Sequence, residues 1–428
     1  MKDESYMPPH TKEKNMARFT QLRLSLTFLA LLGTAPALSQ TTPDVPLVED
    51  ERSLSPLELL GKRVFEDVNL SEPRGQSCAS CHDASKAFQG NFASPIAALA
   101  RGAVAGRFGN RNTPTLTYMS FSPVFGFVEK KDDAGKVEMI PTGGQFWDGH
   151  AKNFKAQFEI PLLNPLEMNN PSKAEAVRRI KSGSYTNLVV KLYGADVFAK
   201  PEEAFYKIVD AVVAFQSTER FHPFASRFDL YLQGKEKLNK QELRGFALFK
   251  DPKKGNCLAC HAGKEGSKNP KDWLFTDFSY DNLGLPRNKL IPANAKAEEF
   301  DLGLCKQAGL AALAPKDVKI DSYCGAFKVP TLRNVAITGP YMHNGVFTSL
   351  RDAVKFYATR DTNPENWYSK GADGKVQKFD DLPAQYHDNV NVKEAPYDRK
   401  PGQKPRLNDR DIDALVAFLG TLTDGGKK

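Results

Sequence analysis

The chain reads as mainly α, built from two copies of one unit, and three observations predict it. Paired segments recur at matching places in the two halves, apolar residues recur at helical spacing, and strand-like alternation is scarce. At 428 residues the chain is too long for one ordinary core. Its 41% hydrophobic and 26% charged residues exclude disorder and collagen-like repeats. The formal charge of +8 is spread along the chain, so no nucleic-acid partner is expected.

Taken in order, the first element is a targeting segment. Lys12, Lys14, Arg18 and Arg23 precede an apolar run from Leu24 to Leu32, followed by Gly33 and the small residues Ala35–Ser39. That order predicts a secretory signal over residues 1–39, with an uncleaved anchor as the alternative and Met16 as a second possible start. The rest is then exported and spans no membrane. Each copy opens on a helix: Gly61, Phe65 and Asp67 are matched by Gly245, Phe249 and Asp251. Each closes on an amphipathic helix, Asp210–Phe215 answered by Asp413–Phe418. The copies meet near Phe221–Asp229, giving domains 40–225 and 226–428. Glu129–Gly144 reads as a hairpin inserted in the first copy. Two polar, Pro/Gly-rich stretches, Ala262–Pro270 and Asp361–Pro405, interrupt the second and read as long loops.

The chemistry lies in the cysteines. Cys78-Ala79-Ser80-Cys81-His82 and Cys257-Leu258-Ala259-Cys260-His261 are both C-x-x-C-H, the pattern of covalent c-type haem attachment. The thiols add to the haem vinyl groups and His82 or His261 supplies the proximal nitrogen. Neither motif has a partner that would complete a zinc site. Cys305 and Cys324 suggest a disulfide in an oxidising compartment, against a free or metal-binding pair.

A catalyst needs one iron with a vacant sixth position. Aligning Gly149 with Gly345 sets Phe154 opposite Leu350 and Pro161 opposite Tyr357. Proline has no donor atom for iron and a phenol does, so the first haem reads as open and the second as closed by Tyr357. Tyr357 as packing alone, or Met342 as the ligand, are the alternatives. Splitting peroxide also requires a group that moves a proton. Gln157, Glu159 and Glu167 lie in the right stretch, and spacing does not choose between the carboxylates.

These residues resemble the bacterial dihaem cytochrome c peroxidase/MauG family over nearly the whole mature chain. The carrying motifs are Leu70-Ser71 with Ser77–His82, Arg111–Leu116, Gln145–Gly149, Asn164–Met168, Phe327–Asn334 and Gly339–Gly345. The resemblance implies two cytochrome c-like domains with one covalent haem each. It implies Trp147 as an electron relay between the haems. It makes Gln157, Pro161 and Glu167 the distal pocket, with Glu167 the acid/base. It implies one calcium ion held by Asn112, Thr338 and the Pro340 carbonyl, all hard oxygens.

Two departures point to the MauG-like branch. No histidine lies between His82 and His150 to block the first iron, and Tyr357 stands where the peroxidases carry Met. The implied function is a periplasmic peroxidase that uses hydrogen peroxide to form ferryl haem and oxidise a dedicated protein substrate, such as a tryptophan. The alternatives are a cytochrome c peroxidase fed by a small cytochrome c or cupredoxin, and a plain dihaem electron-transfer cytochrome. A third departure favours the first alternative. MauG-like members carry a tryptophan just before the second haem cysteines, where this chain has Gly255-Asn256, leaving Trp273 or Trp367 as substitutes.

Overall fold

The computed structural model describes residues 51–90, 94, 96, 98–131, 135 and 137–425, so the expected signal segment lies outside the described residues. Among those residues the fold is mainly helical with three two-stranded sheets. Six helices run ten residues or more: α1 (Pro56–Glu66), α2 (Phe154–Leu163), α3 (Pro201–Gln216), α4 (Lys240–Lys250), α5 (Leu350–Thr359) and α6 (Asp409–Gly420). Their starts are written locally. Ser55 with Glu58, Asn239 with Glu242 and Asn408 with Asp411 form capping boxes that satisfy the first free N–H groups of α1, α4 and α6. Asn153 and Ser349 cap α2 and α5. No helix among the described residues is long and apolar enough to cross a membrane.

The recurring Gly, Phe and Asp have a packing cause. α1 crosses α3 so closely that a Cβ on Gly61 would lie 2.0 Å from the Ala211 carbonyl oxygen. α4 crosses α6 in the same way, with Gly245 at 2.0 Å from the Ala414 oxygen. Phe65 then packs on Phe215, and Phe249 on Phe418, at ring centroids of 5.6 and 5.3 Å. Asp67 and Asp251 cap the C-termini of α1 and α4.

One apolar core gathers residues from Leu60 to Phe221 and a second those from Phe228 to Leu422. The surfaces between them are stitched. Ile291 packs with Ala98 and Leu99, and Phe125 with Leu304, Leu310 and Ala326. The expected hairpin is present as Gly126–Lys131 paired antiparallel with Val137–Thr142, Val128 opposite Ile140. The polar stretch Asp361–Pro405 differs from the long loop its composition suggests. It has no α-helix, yet Tyr368, Phe379, Leu382 and Val390 are buried in a third cluster with Phe347 and Phe356. Widely spaced apolar residues form that cluster, and no periodicity announces them.

Candidate active site

Both cysteine motifs wind into single tight turns, in which His82 N–H bonds to the Cys78 carbonyl at 2.9 Å and His261 N–H to that of Cys257 at 2.8 Å. The four cysteines and both histidines line one continuous cavity of about 780 Å³. That size is at the upper end of ligand pockets, which run to about 1,000 Å³. Cys305 and Cys324 are disulfide-bonded to each other, which leaves the four motif cysteines for haem attachment.

His82 donates Nδ1–H to the Phe88 carbonyl at 2.8 Å, and His261 shares its Nδ1–H between the carbonyls of Phe275 and Pro330 at 3.2 and 3.1 Å. Phe88 and Phe275 both have left-handed backbones, at φ 53° and 55°, which aim those carbonyls. In each copy Nε2 is left without a backbone partner, an arrangement that would orient a metal-bound imidazole. Burial lowers His82 to about 4 and lowers His261 too, keeping both rings neutral. Paired thiols, a fixed imidazole and an apolar cavity fit covalent haem at both places.

Opposite the first motif, α2 brings Gln157 and Pro161 to the cavity one helical turn apart. Pro161 sits inside the helix and leaves the Gln157 carbonyl without its N–H partner, at an interior cost of about 3 kcal/mol. Glu167 follows from the next turn and lines the cavity. Glu159 does not line it and instead pairs with Lys173 at 3.0 Å. Burial raises the Glu167 carboxyl above its ordinary range, opposed by His150 and by a hydrogen bond with Asn164.

Near the second motif, α5 brings Tyr357 to the cavity wall. Burial, then Asp281 and the thiols of Cys260 and Cys257, raise its phenol, while Arg360 lowers it. Tyr397 lies beside it, ring centroids 6.1 Å apart, with Arg360 4.7 Å from the Tyr397 ring centre. Met342 lines the cavity as well, but packs against the Leu285–Phe347 cluster.

Trp147 lies between the two halves. Its indole N–H bonds to the Asn112 carbonyl at 2.8 Å, and its own carbonyl accepts from Lys328 N–H at 2.7 Å. The Asn112 side-chain amide donates to the carbonyls of Pro340 at 2.7 Å and Met342 at 3.0 Å, and Thr338, two residues before Pro340, lines the same cavity. Trp273 is buried away from this cavity, against Phe246 and Phe228, and Trp367 bonds to the Thr359 hydroxyl at 3.0 Å.

Several cavity residues escaped the sequence reading. Lys328 is buried, donates to the Gly144 carbonyl at 2.6 Å, and is lowered to about 7 by burial. Arg111 grips Asp148 at 2.7 Å and Asp301 at 2.6 Å, across the two halves. His150 joins Asp148 through Nδ1. The available signal was Asp-x-His in Asp148-Gly149-His150, too short to single out.

Comparison with known proteins agrees with this geometry. The profile of the di-haem cytochrome c peroxidase family matches residues 56–237. The chain is 36% identical over 375 residues to the methylamine utilization protein MauG of Paracoccus denitrificans, covering 86% of this chain and 88% of that one. It is 27% identical to a cytochrome c551 peroxidase of Nitrosomonas europaea, over 83% of this chain and 88% of the relative. The crystal structure of the diheme peroxidase BthA from Burkholderia thailandensis superposes with a TM-score of 0.78 at 43% identity, covering 86% of each chain. With two haem-attachment turns on one cavity and these relatives, the chain belongs to the di-haem cytochrome c peroxidase/MauG family and is a dihaem c-type peroxidase-family enzyme.

Proposed function

We propose that the protein is a MauG-like periplasmic peroxidase that reduces hydrogen peroxide at its first haem and oxidises a protein substrate. The observation that carries this reading is the asymmetry of the cavity: Pro161, Gln157 and Glu167 near the first motif, Tyr357 near the second. Cys78, Cys81 and His82 would hold one haem; Cys257, Cys260, His261 and Tyr357 the other. When bound, the first haem iron supplies the site at which peroxide is activated. Pro161 leaves room on that side and offers no competing donor. Gln157 presents an amide that orients the peroxide. Glu167 takes the proton from one peroxide oxygen and returns it to the other, so that water leaves. As a ligand, the Tyr357 oxygen would favour the oxidised states of the second haem, and Trp147 would stand as the relay for electrons between the two.

The matched crossings of α1 with α3 and α4 with α6 support two cytochrome c-like domains, 40–225 and 226–428, related by duplication. The proximity of Asn112, Thr338 and Pro340 supports a calcium site between them, reached by turning the Asn112 amide so that Oδ1 faces the ion. A second reading, peroxide reduction with electrons from a small cytochrome c or cupredoxin, is favoured by Gly255-Asn256. There a side chain on Gly255 would lie 2.5 Å from the Leu248 carbonyl, which excludes a tryptophan.

The test is electron paramagnetic resonance of the resting ferric protein. One high-spin and one low-spin signal are expected; two low-spin signals would remove the vacant position and with it the MauG-like reading.

A further inference from the structure

We propose that Arg333 is a positioning residue for the second haem, because it locks together the two chain segments whose carbonyls hold His261. The proposal rests on a haem held by Cys257, Cys260 and His261, and not on which substrate is oxidised. The two halves supply the contrast. His82 gives its Nδ1–H to one carbonyl, that of Phe88, whereas His261 divides its own between Phe275 and Pro330.

The segments that meet beside each histidine are built alike. Thr115 bonds through its hydroxyl to the Ala87 carbonyl and Thr331 to that of Leu274, in each case one residue before the phenylalanine. The N–H two residues on returns to the same hydroxyl, from Thr117 at 3.0 Å and from Arg333 at 3.1 Å. Thr117 and Arg333 therefore occupy one place in the repeat, and only their side chains differ. The Thr117 hydroxyl meets Thr115 and Asn334, at 2.8 and 3.3 Å. Arg333 instead reaches across to the opposite segment. Its Nε donates to the Trp273 carbonyl at 2.8 Å, two residues before Phe275, and a terminal nitrogen donates to the Pro270 carbonyl at 3.0 Å. Leu332 N–H adds a bond of 3.3 Å to the Phe275 carbonyl.

The far side of the guanidinium is anchored. It meets both oxygens of Asp229 at 2.8 and 3.0 Å, with both side chains fully buried. Asp229 is fixed in turn by the N–H and hydroxyl of Ser226, at 2.9 and 2.7 Å. The rings of Tyr118 and Phe224 lie 4.7 and 4.6 Å from the Arg333 Cζ. Arginine's planar fork makes such bonds in fixed directions, which a single lysine nitrogen does not reproduce. A fixed N–H···O=C bond sets the plane of an imidazole and makes its other nitrogen a stronger donor to a metal. The stronger donor favours Fe(III), so the Arg333 clamp holds the second haem's potential down. The first half, with threonine in that place and one acceptor for its histidine, has no such clamp.

The test is Arg333→Lys, which keeps the charge and loses the fork. The Fe(II)/Fe(III) ratio of the second haem at a given potential should rise about tenfold, ~59 mV for one electron, by spectroelectrochemistry. The g values of its low-spin resonance should shift with the freed ring, while the first haem keeps its potential and its signal. An unmoved second haem overturns the proposal, as does an equal shift at both haems, the mark of general loosening. If Arg333→Lys does not retain both haems, Arg333→Met combined with Asp229→Asn leaves no unpaired buried charge and is judged on the same terms. If neither retains them, exchange of the ring N–H protons into D2O in the wild type decides, read by paramagnetic NMR. The His261 proton should exchange about 10-fold or more slowly than that of His82, and equal rates overturn the clamp. A wild-type chain carrying fewer than two haems by pyridine haemochrome sinks the haem reading instead.

Discussion

The two halves share a frame and differ in what they bring to the cavity. Each has a glycine-mediated helix crossing, a cysteine turn, and a histidine whose Nδ1–H is fixed by the carbonyl of a left-handed phenylalanine. α2 and α5 occupy matching places, yet one brings Pro161 and the other Tyr357. The lesson is that the scaffold resists change because its contacts are backbone against backbone. A single helix position is free to vary, and in the proposed reading it decides whether an iron is open or capped.

Three perturbations would sharpen or break that comparison. The largest effect belongs to Glu167→Gln, which should slow the reaction with peroxide by about 10²-fold or more in stopped-flow. In the wild type, burial raises the folded-state value above the ordinary glutamate value of 4.5, so the base form is lost on going acid sooner than for an exposed glutamate. The rate should therefore fall as pH drops through a midpoint above 4.5. Unchanged kinetics in the variant would place the shuttle elsewhere and dissolve the distinction between the copies.

Next comes Tyr357→Met, which should raise the second haem's potential by on the order of 100 mV, read by spectroelectrochemistry. A potential that does not move makes Met342 or another group the ligand. The smallest effects are Gly61→Ala and Gly245→Ala, each expected to cost about 1–3 kcal/mol as the new methyl meets a carbonyl oxygen. Similar losses in denaturant unfolding would support equivalent crossings; a marked inequality would show that one half has slackened.

What was legible in the chain was whatever occurs twice. The cysteine turns, the paired glycines and the Pro161/Tyr357 contrast all emerge from one half read against the other. Residues without a counterpart were opaque. Glu159 and Glu167 look alike in sequence, and only the helix direction sends the first to Lys173 and the second to the cavity. The Asp361–Pro405 stretch looked polar because its buried Phe379, Leu382 and Tyr397 are scattered among charges. The grip of Arg111 on Asp301 joins residues far apart in the chain, which no local pattern encodes.

That last contact bears on whether either half could stand without the other. Ile291 and Asp301 are encoded in the second half but cover strand residues of the first, beside Leu99 and at Arg111. A chain ending at Ala225 would therefore leave Leu99 without its Ile291 cover and Arg111 without Asp301. The two halves complete each other's surfaces, so a change at either side of that seam is felt by both.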